Sequence, residues 1–132
     1  MEDMNIKTHR KVDPNSVGEP TLIEDGVRSE VKLATSNRMA VDEMNLVHGG
    51  FTYGLADYAA MLAVNHPNVV LGGSECRFLA PVKVGDVMIA KARVEDEEGK
   101  RRDVSVEVYV NEKRVFTGSF KCYILEEHVL IS

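Results

Sequence analysis

A nearly unbroken run of apolar and small residues extends from Phe51 to Asn65, and few folds can accommodate it. Ala and Leu are frequent in this run and favour a helix, and the run is too long for a buried strand. Pro67 follows two residues later and predicts where the helix stops. Because the run is apolar on nearly every side, the predicted helix must be buried on most sides.

After this helix the chain has only strand patterns. Alternation of period two predicts one strand before the helix and four after it, the four forming a meander. The predicted strands are Val27–Ala34, Val69–Leu79, Val87–Val94, Val104–Val110 and Val115–Leu125, with turns at Asp96–Gly99 and Asn111–Lys113. Residues 1–20, with two prolines and no clear periodicity, predict an extended lead-in that could include a short turn. The sequence thus predicts one α+β domain over residues 1–132, in which a curled antiparallel sheet of five to six strands wraps one long central helix.

Composition excludes several classes of function. The net charge is −5, so the basic footprint of a nucleic-acid-binding protein is absent. No apolar stretch is long enough to span a membrane, and no secretory signal is visible. The two cysteines, Cys76 and Cys122, lack CxxC spacing and predict reduced thiols in a cytoplasmic protein. The histidines are scattered and the cysteines far apart, so no metal site is predicted.

Asp57 is the single charged side chain between Gly49 and Val64. A carboxylate in the middle of a helix is not a cap, and burial without a partner is costly and raises its pKa. Either it pairs with a basic group or backbone amide of a neighbouring chain, or it is catalytic.

His48-Gly49-Gly50 stands at the predicted start of the same helix. The first backbone N–H groups of a helix have no intrahelical partner, and glycine lets a ligand approach them closely. Such a terminus could polarise a carbonyl and hold an oxyanion, although a plain glycine turn beside a loop histidine explains the motif equally well. Nine residues separate His48 from Asp57, about 13 Å along one helix, so a site that uses both needs a bridging ligand or a second subunit.

These residues resemble the signature of hotdog-fold thioesterases, and most closely the PaaI-like branch of phenylacetyl-CoA thioesterases. The resemblance covers about Val27 to Leu125 and rests on two segments: His48-Gly49-Gly50-Phe51-Thr52-Tyr53-Gly54-Leu55-Ala56-Asp57 and Phe78-Leu79-Ala80-Pro81-Val82-Lys83-Val84-Gly85-Asp86. It implies a hotdog fold and hydrolysis of an acyl-CoA thioester, with CoA entering as part of the substrate and no separate cofactor. The acyl group could be phenylacetyl, another aryl group or a medium chain.

The resemblance also implies roles for individual residues. Asp57 matches the family's acid, which acts as general base or nucleophile. Gly49 matches the glycine whose N–H polarises the thioester carbonyl, and His48 the histidine that supports this oxyanion site. In the family the acid and the glycine turn come from different subunits, which implies a homodimer at least and commonly a homotetramer. Asp42 departs from the pattern, because many members carry Asn or Gln six residues before the histidine; it is either part of the site or an exposed loop acid.

Binding of the CoA portion is predicted along a strand edge beside the helix. The candidates are Gly50, Gly72, Gly73 and Ser74 for close approach and Arg77 and Lys83 for the phosphates. A β-bulge would explain the two glycines at 72 and 73 equally well, and ordinary surface placement would explain the two cations.

Three functions are therefore compared. The first is an acyl-CoA thioesterase. The second is a non-catalytic acyl-CoA sensor that resembles the ligand-binding domain of the FapR regulators, although no DNA-binding helix-turn-helix is visible in residues 1–26. The third, a hotdog dehydratase, lacks the usual hydratase motif.

Overall fold

The computed structural model describes residues 4–131 and contains a six-stranded antiparallel sheet with one long helix against it. The elements along the chain are α1 (Pro14–Val17), β1 (Glu19–Glu24), β2 (Arg28–Ala34), a 3-10 turn (Asn37–Met39), α2 (Gly49–Val64), β3 (Val69–Phe78), β4 (Val87–Glu98), β5 (Arg101–Val110) and β6 (Lys113–Ile124). The strands lie side by side in the order β1-β2-β4-β5-β6-β3. The predicted α+β hotdog architecture is confirmed.

The core forms between α2 and the inner face of the sheet. Strict alternation in β5 sends Val104, Val106 and Val108 inward, and each is fully buried. The sheet also contacts the helix backbone, because the buried Ser29 hydroxyl of β2 donates to the Ala59 carbonyl at 2.6 Å. Ten of the sixteen residues of α2 are buried, from Thr52 to Val64, as the all-round apolar pattern predicts.

The lead-in predicted for residues 1–20 is wrong where residues 14–20 are concerned. Residues 14–17 form α1, which Asp13 caps by accepting from the Asn15 N–H at 2.9 Å. Strand β1 starts at Glu19 and pairs with β2 at the edge of the sheet. Residues 1–3 of the predicted lead-in lie outside the described residues.

Two further expectations need correction. The predicted turn at Asp96–Gly99 begins later, because β4 continues to Glu98 and pairs with β5 as far as Arg101. The predicted four-strand meander holds only for β4, β5 and β6. Strand β3 does not pair with β4, which follows it in the chain, but with β6, and so it forms the edge opposite β1.

No helix among residues 4–131 is long and apolar enough to cross a membrane.

Candidate active site

Helix α2 begins at the His48-Gly49-Gly50 segment, as predicted, with His48 as its N-cap residue. The imidazole folds back over the helix start: a Cβ built on Gly50 would lie 2.8 Å from His48 Nε2. As long as the His48 ring occupies this place, glycine is the only residue that fits at position 50. The His48 side chain makes no capping hydrogen bond, and within residues 4–131 the Gly49 and Gly50 N–H groups have no acceptor outside the helix. These two donors are therefore available at the positive end of the helix.

The second motif packs directly on this helix start. A Cβ built on Gly49 would lie 3.2 Å from the Phe78 ring, so the end of β3 approaches α2 closely only because residue 49 is glycine. The Phe78 ring also packs edge-on against Phe116, at 5.2 Å between centroids. A groove of about 290 Å³ opens beside the contact, and its lining is almost wholly apolar: Leu46, Val47, Gly49, Thr52, Phe78, Leu79, Ala80, Pro81, Val82 and Val115.

Asp57 lies on the one strip of α2 that the chain leaves partly open. Gly50, Tyr53, Gly54 and Asp57 share this strip at helical spacing, and none of them is buried. Yet the Asp57 Oδ1 atom is enclosed and has no hydrogen-bond partner, and no cation within residues 4–131 forms an ion pair with it. Burial raises the pKa of the Asp57 carboxyl above its usual value. Within residues 4–131 no basic side chain pairs with Asp57, so the non-catalytic interpretation requires a partner from a neighbouring chain.

The strip has a wall on each side. On one side the Tyr53 hydroxyl is 2.7 Å from the Ser74 hydroxyl of β3, and its ring is 5.6 Å from that of Phe120. On the other side Val17 of α1 approaches Gly54, since a Cβ on that glycine would lie 4.0 Å from Val17 Cγ1. Sequence reasoning missed both walls, because α1 was not predicted and because the contact between positions 53 and 74 requires the sheet order.

The Cys122 thiol is close enough to Asp57 for the two charges to interact. Burial, reinforced by the negative charges of Asp57 and Asp103, raises the pKa of the Cys122 thiol to about 12. Both Cys122 and Cys76 are free thiols, as predicted, and Cys122 is fully buried. A thiol in this state is neutral and unreactive at neutral pH, so Cys122 is not a candidate nucleophile.

Asp42 belongs to the loop that precedes α2. Its carboxylate accepts from the backbone N–H groups of Met44 at 3.0 Å and Leu46 at 3.2 Å, and it holds the tight loop between Ala40 and Val47. The residue itself is exposed. This bonding gives Asp42 a structural task that either acidic or amide oxygen could perform.

The predicted CoA-binding residues fall into two groups. Gly72 and Gly73 lie at a register shift between β3 and β6, which is the β-bulge considered as their alternative explanation. At Gly72 a Cβ would lie 2.4 Å from the Tyr123 ring, whereas Gly73 has open space around it. Arg77 is exposed on β3 and Lys83 on the loop before β4, six residues apart in sequence, and neither has an ion pair among the described residues.

The structure thus brings His48, Gly49 and Phe78 together at one end of α2 and Asp57, Tyr53 and Ser74 along its open strip. The two groups lie on the same helix, nine residues apart, which corresponds to about 13 Å. Within residues 4–131, no three His, Cys, Asp or Glu side chains are grouped so as to hold a metal ion.

Residues 44–117 match the family model described as the thioesterase superfamily, and of the features just described only Val17, the Asp42 loop before Met44 and the residues of β6 after Thr117 lie outside this range. The chain belongs to the thioesterase superfamily. The predicted resemblance to hotdog-fold thioesterases is thereby confirmed. Both sequence motifs, His48 to Asp57 and Phe78 to Asp86, lie wholly inside the matched range.

Relatives of this superfamily member include proteins with different names. It is 50% identical, over 89% of its length, to a quarter of a protein from Aquifex aeolicus named methylthioribose-1-phosphate isomerase. It is 33% identical, over 86% of its length, to 57% of the transcription factor FapR of Caldanaerobacter subterraneus. The chain therefore spans between a quarter and three fifths of these curated relatives.

Solved structures of similar fold cover the chain more completely. A crystal structure of an uncharacterised protein from Pyrococcus horikoshii is 54% identical, with a TM-score of 0.94 over 96% of this chain and 97% of that one. The PaaI protein of the E. coli phenylacetic acid degradation operon is 22% identical, with a TM-score of 0.76 over 83% of this chain and 80% of that one. At that identity the second likeness shows a shared fold.

Proposed function

We propose that this member of the thioesterase superfamily hydrolyses acyl-CoA thioesters to a free acid and CoA, with Asp57 as the catalytic carboxylate. The observation that carries the proposal is the enclosed Asp57 Oδ1, which has no partner within residues 4–131 although it lies on the open strip of α2. An unpaired buried acceptor is costly, and functional sites are where proteins retain such groups.

The chemistry follows from the two ends of the site. As a general base, Asp57 takes a proton from water while the water oxygen attacks the thioester carbon. The negative charge that develops on the carbonyl oxygen is held by the free N–H of Gly49 at the positive end of the helix, with His48 beside it. The carbon–sulfur bond then breaks, and the CoA sulfur leaves as a thiolate that takes up the proton. As a nucleophile, Asp57 would instead form a mixed anhydride that water hydrolyses.

The raised pKa of Asp57 suits the role of a base. A carboxylate at its usual pKa is a weak proton acceptor at neutral pH, and a higher pKa strengthens it as long as the group stays ionised. The pKa is raised by burial and not by a second carboxylate, so the charge on the ionised form is not repelled by a neighbouring acid.

The spacing of the site supports a homodimer as the smallest active unit. Because about 13 Å of helix separates His48 from Asp57, one thioester carbonyl cannot contact both residues of one copy. A second copy would place its helix start opposite the Asp57 strip of the first. The homotetramer and the cytoplasmic location remain predictions from the sequence.

The CoA portion is proposed to lie along the edge strand β3. Gly73 has open space around it, and Ser74 is exposed beside Tyr53, so an extended pantetheine chain has room there. Arg77, farther along the strand, and Lys83 are free to meet phosphates. Asp42 is proposed to act by holding the loop, because its carboxylate already accepts two backbone N–H groups.

A second candidate function is an acyl-CoA sensor. It is favoured by the relatives named transcription factor FapR, which match 86% of this chain. A sensor binds the thioester and leaves it intact, whereas the proposed enzyme releases CoA.

The decisive measurement is thiol release from a panel of acyl-CoA esters, including phenylacetyl-CoA and straight chains, by wild type and Asp57→Asn. The variant keeps the shape of the side chain and removes the base. We expect it to lose at least about a hundredfold in kcat, which is the typical contribution of a general base, with binding largely kept. Glu112→Gln removes one exposed charge in the β5–β6 turn and serves as the control. Binding by wild type without thiol release would favour the sensor, and full activity in Asp57→Asn would exclude the proposed role of Asp57.

A further inference from the structure

Gly54 occupies a position in α2 where the chain itself gives no reason for glycine. Glycine destabilises a helix interior relative to alanine. The other two glycines near the start of α2 have such a reason. A side chain at position 49 would press on Phe78, and a side chain at position 50 would press on His48. At Gly54 an added Cβ would meet only Val17 Cγ1, at 4.0 Å, which is an ordinary contact. The backbone there is not in the left-handed region either.

The place of Gly54 relative to Asp57 indicates what the missing side chain leaves room for. The two residues are three apart in one helix, so they are neighbours on the same open strip. The unpartnered Asp57 oxygen marks the point on this strip where a ligand would react. The space over Gly54 therefore adjoins the proposed reacting carbon, on the side away from Tyr53 and Ser74.

The wall beside that space is apolar. Val17 of α1 is partly buried and packs against the core at this point. The other wall carries the hydroxyl groups of Tyr53 and Ser74, which are 2.7 Å apart. A thioester has one polar arm, pantetheine, and one acyl arm, so the apolar side suits an aliphatic or aromatic acyl group and the hydroxyl-lined side suits pantetheine.

We infer that Gly54 and Val17 form the acyl-group pocket and set the length and bulk of the acyl chain that the site accepts. The inference rests on the proposed function and specifies its substrate. The acyl chain leaves the carbonyl beside Asp57, crosses the bare helix backbone at Gly54 and meets Val17. A side chain at position 54 would then lower activity on long chains more than on short ones.

The test compares wild type, Gly54→Ala, Gly54→Leu and Val17→Ala on acetyl-, hexanoyl-, decanoyl- and phenylacetyl-CoA, with thiol release as the readout. We expect Gly54→Leu to lose about thirtyfold or more in kcat/KM for the longest chain that wild type accepts, which is within the range for misfit in an apolar pocket. Activity on acetyl-CoA should fall by about tenfold less than activity on that longest chain. Gly54→Ala should shift in the same direction by less, and Val17→Ala should favour longer chains.

Controls separate a pocket from a general defect. Glu112→Leu places the same apolar side chain at an exposed turn and should leave the chain-length profile as in wild type. Thermal melts establish that each variant is folded, and light scattering after gel filtration reports its oligomeric state. If Gly54→Leu lowers activity equally for all chain lengths, or dissociates the assembly without changing the profile, the inference is wrong and the glycine serves a subunit contact.

Different results test the acyl pocket and the proposed hydrolysis. If wild type binds acyl-CoA esters but releases no thiol, the proposed hydrolysis is wrong. Calorimetric affinities for the same esters then test whether Gly54 and Val17 form an acyl pocket, and Gly54→Leu should bind long-chain esters about thirtyfold or more weakly than wild type does. If wild type neither hydrolyses nor binds any ester of the panel, both are wrong.

Discussion

Replacing Asp57 by asparagine should stabilise the folded protein at neutral pH while it removes activity. The ionised carboxylate has one enclosed oxygen, Oδ1, without a partner among residues 4–131. Asparagine leaves an unpaired polar atom in the same place but carries no charge, so the variant avoids only the cost of burying the charge, on the order of 1–3 kcal/mol. Because the side chain is only half-buried, we take the lower part of this range, about 1–2 kcal/mol at pH 7. For a chain of this size the entropy of unfolding is about 0.28 kcal/mol/K, so the melting temperature should rise by about 4–7 °C.

The pH dependence of this gain follows from the raised pKa of Asp57. In the unfolded chain the carboxyl ionises near its usual pKa of about 3.9. In the folded protein it holds its proton to a higher pH, so the folded state binds more protons between the two pKa values. Stability of the wild type therefore falls as pH rises through this window, and the loss is complete above the folded-state pKa. The asparagine side chain of the variant does not titrate, so the difference between variant and wild type should vanish below about pH 3.9.

Urea unfolding monitored by circular dichroism from pH 3.5 to pH 8 measures this difference directly. Other carboxyl groups titrate in both proteins and cancel in the comparison. Glu112→Gln, which removes an exposed charge, should give no stabilisation at any pH. If Asp57→Asn is less stable than wild type near pH 7, the carboxylate has an ionic or hydrogen-bonding partner in the assembled protein. The reasoning from an unpaired charge would then fail.

Three further outcomes test the surroundings of the site. Gly50→Ala must displace the His48 ring, which lies 2.8 Å from the added Cβ, so kcat/KM should fall about tenfold or more while the circular dichroism spectrum stays unchanged. An unaffected kcat/KM would mean that the position of the ring does not matter for catalysis. Asp42→Ala removes the acceptor of two loop amides and should lower the free energy of unfolding in urea by about 1–2 kcal/mol, whereas Asp42→Asn should leave it nearly unchanged. Equal losses in the two variants would contradict the structural role. A thiol reagent should modify Cys76 in the folded protein and Cys122 only on unfolding, because Cys122 is buried with a pKa of about 12; two fast thiols would refute this.

The fold could be predicted from the sequence wherever a period was present. The apolar run from Phe51 predicted α2 to within two residues at its start, and the alternation of Val104 to Val110 predicted β5 except for its first three residues. Strand β1 was missed because Glu19–Glu24 contains Pro20 and does not alternate, which an edge strand tolerates. The pairing of β3 with β6 could not be predicted, because local patterns carry no information on which edge a strand joins.

The candidate site was predictable only in its separate parts. Asp57 was found because a single charge in an apolar helix is conspicuous. The contact of Phe78 with Gly49 could not be predicted from spacing, since it depends on the end of β3 crossing the helix start. The role of Asp42 was equally hidden, because its hydrogen bonds run to backbone amides of its own loop.

The open strip of α2 explains why a helix this apolar can carry a charge. The curled sheet covers the other sides of the helix, where Leu55, Ala59 and Leu62 are fully buried, and a carboxylate there would lose its hydration entirely. On the strip, by contrast, Asp57 keeps contact with solvent through one side while the other oxygen is enclosed. The same helix presents its free amide groups about 13 Å away, too far for one carbonyl to use both. The proposed base and the proposed oxyanion site are thus each formed by local sequence within one copy, and in the proposed homodimer two copies would bring them to the same thioester.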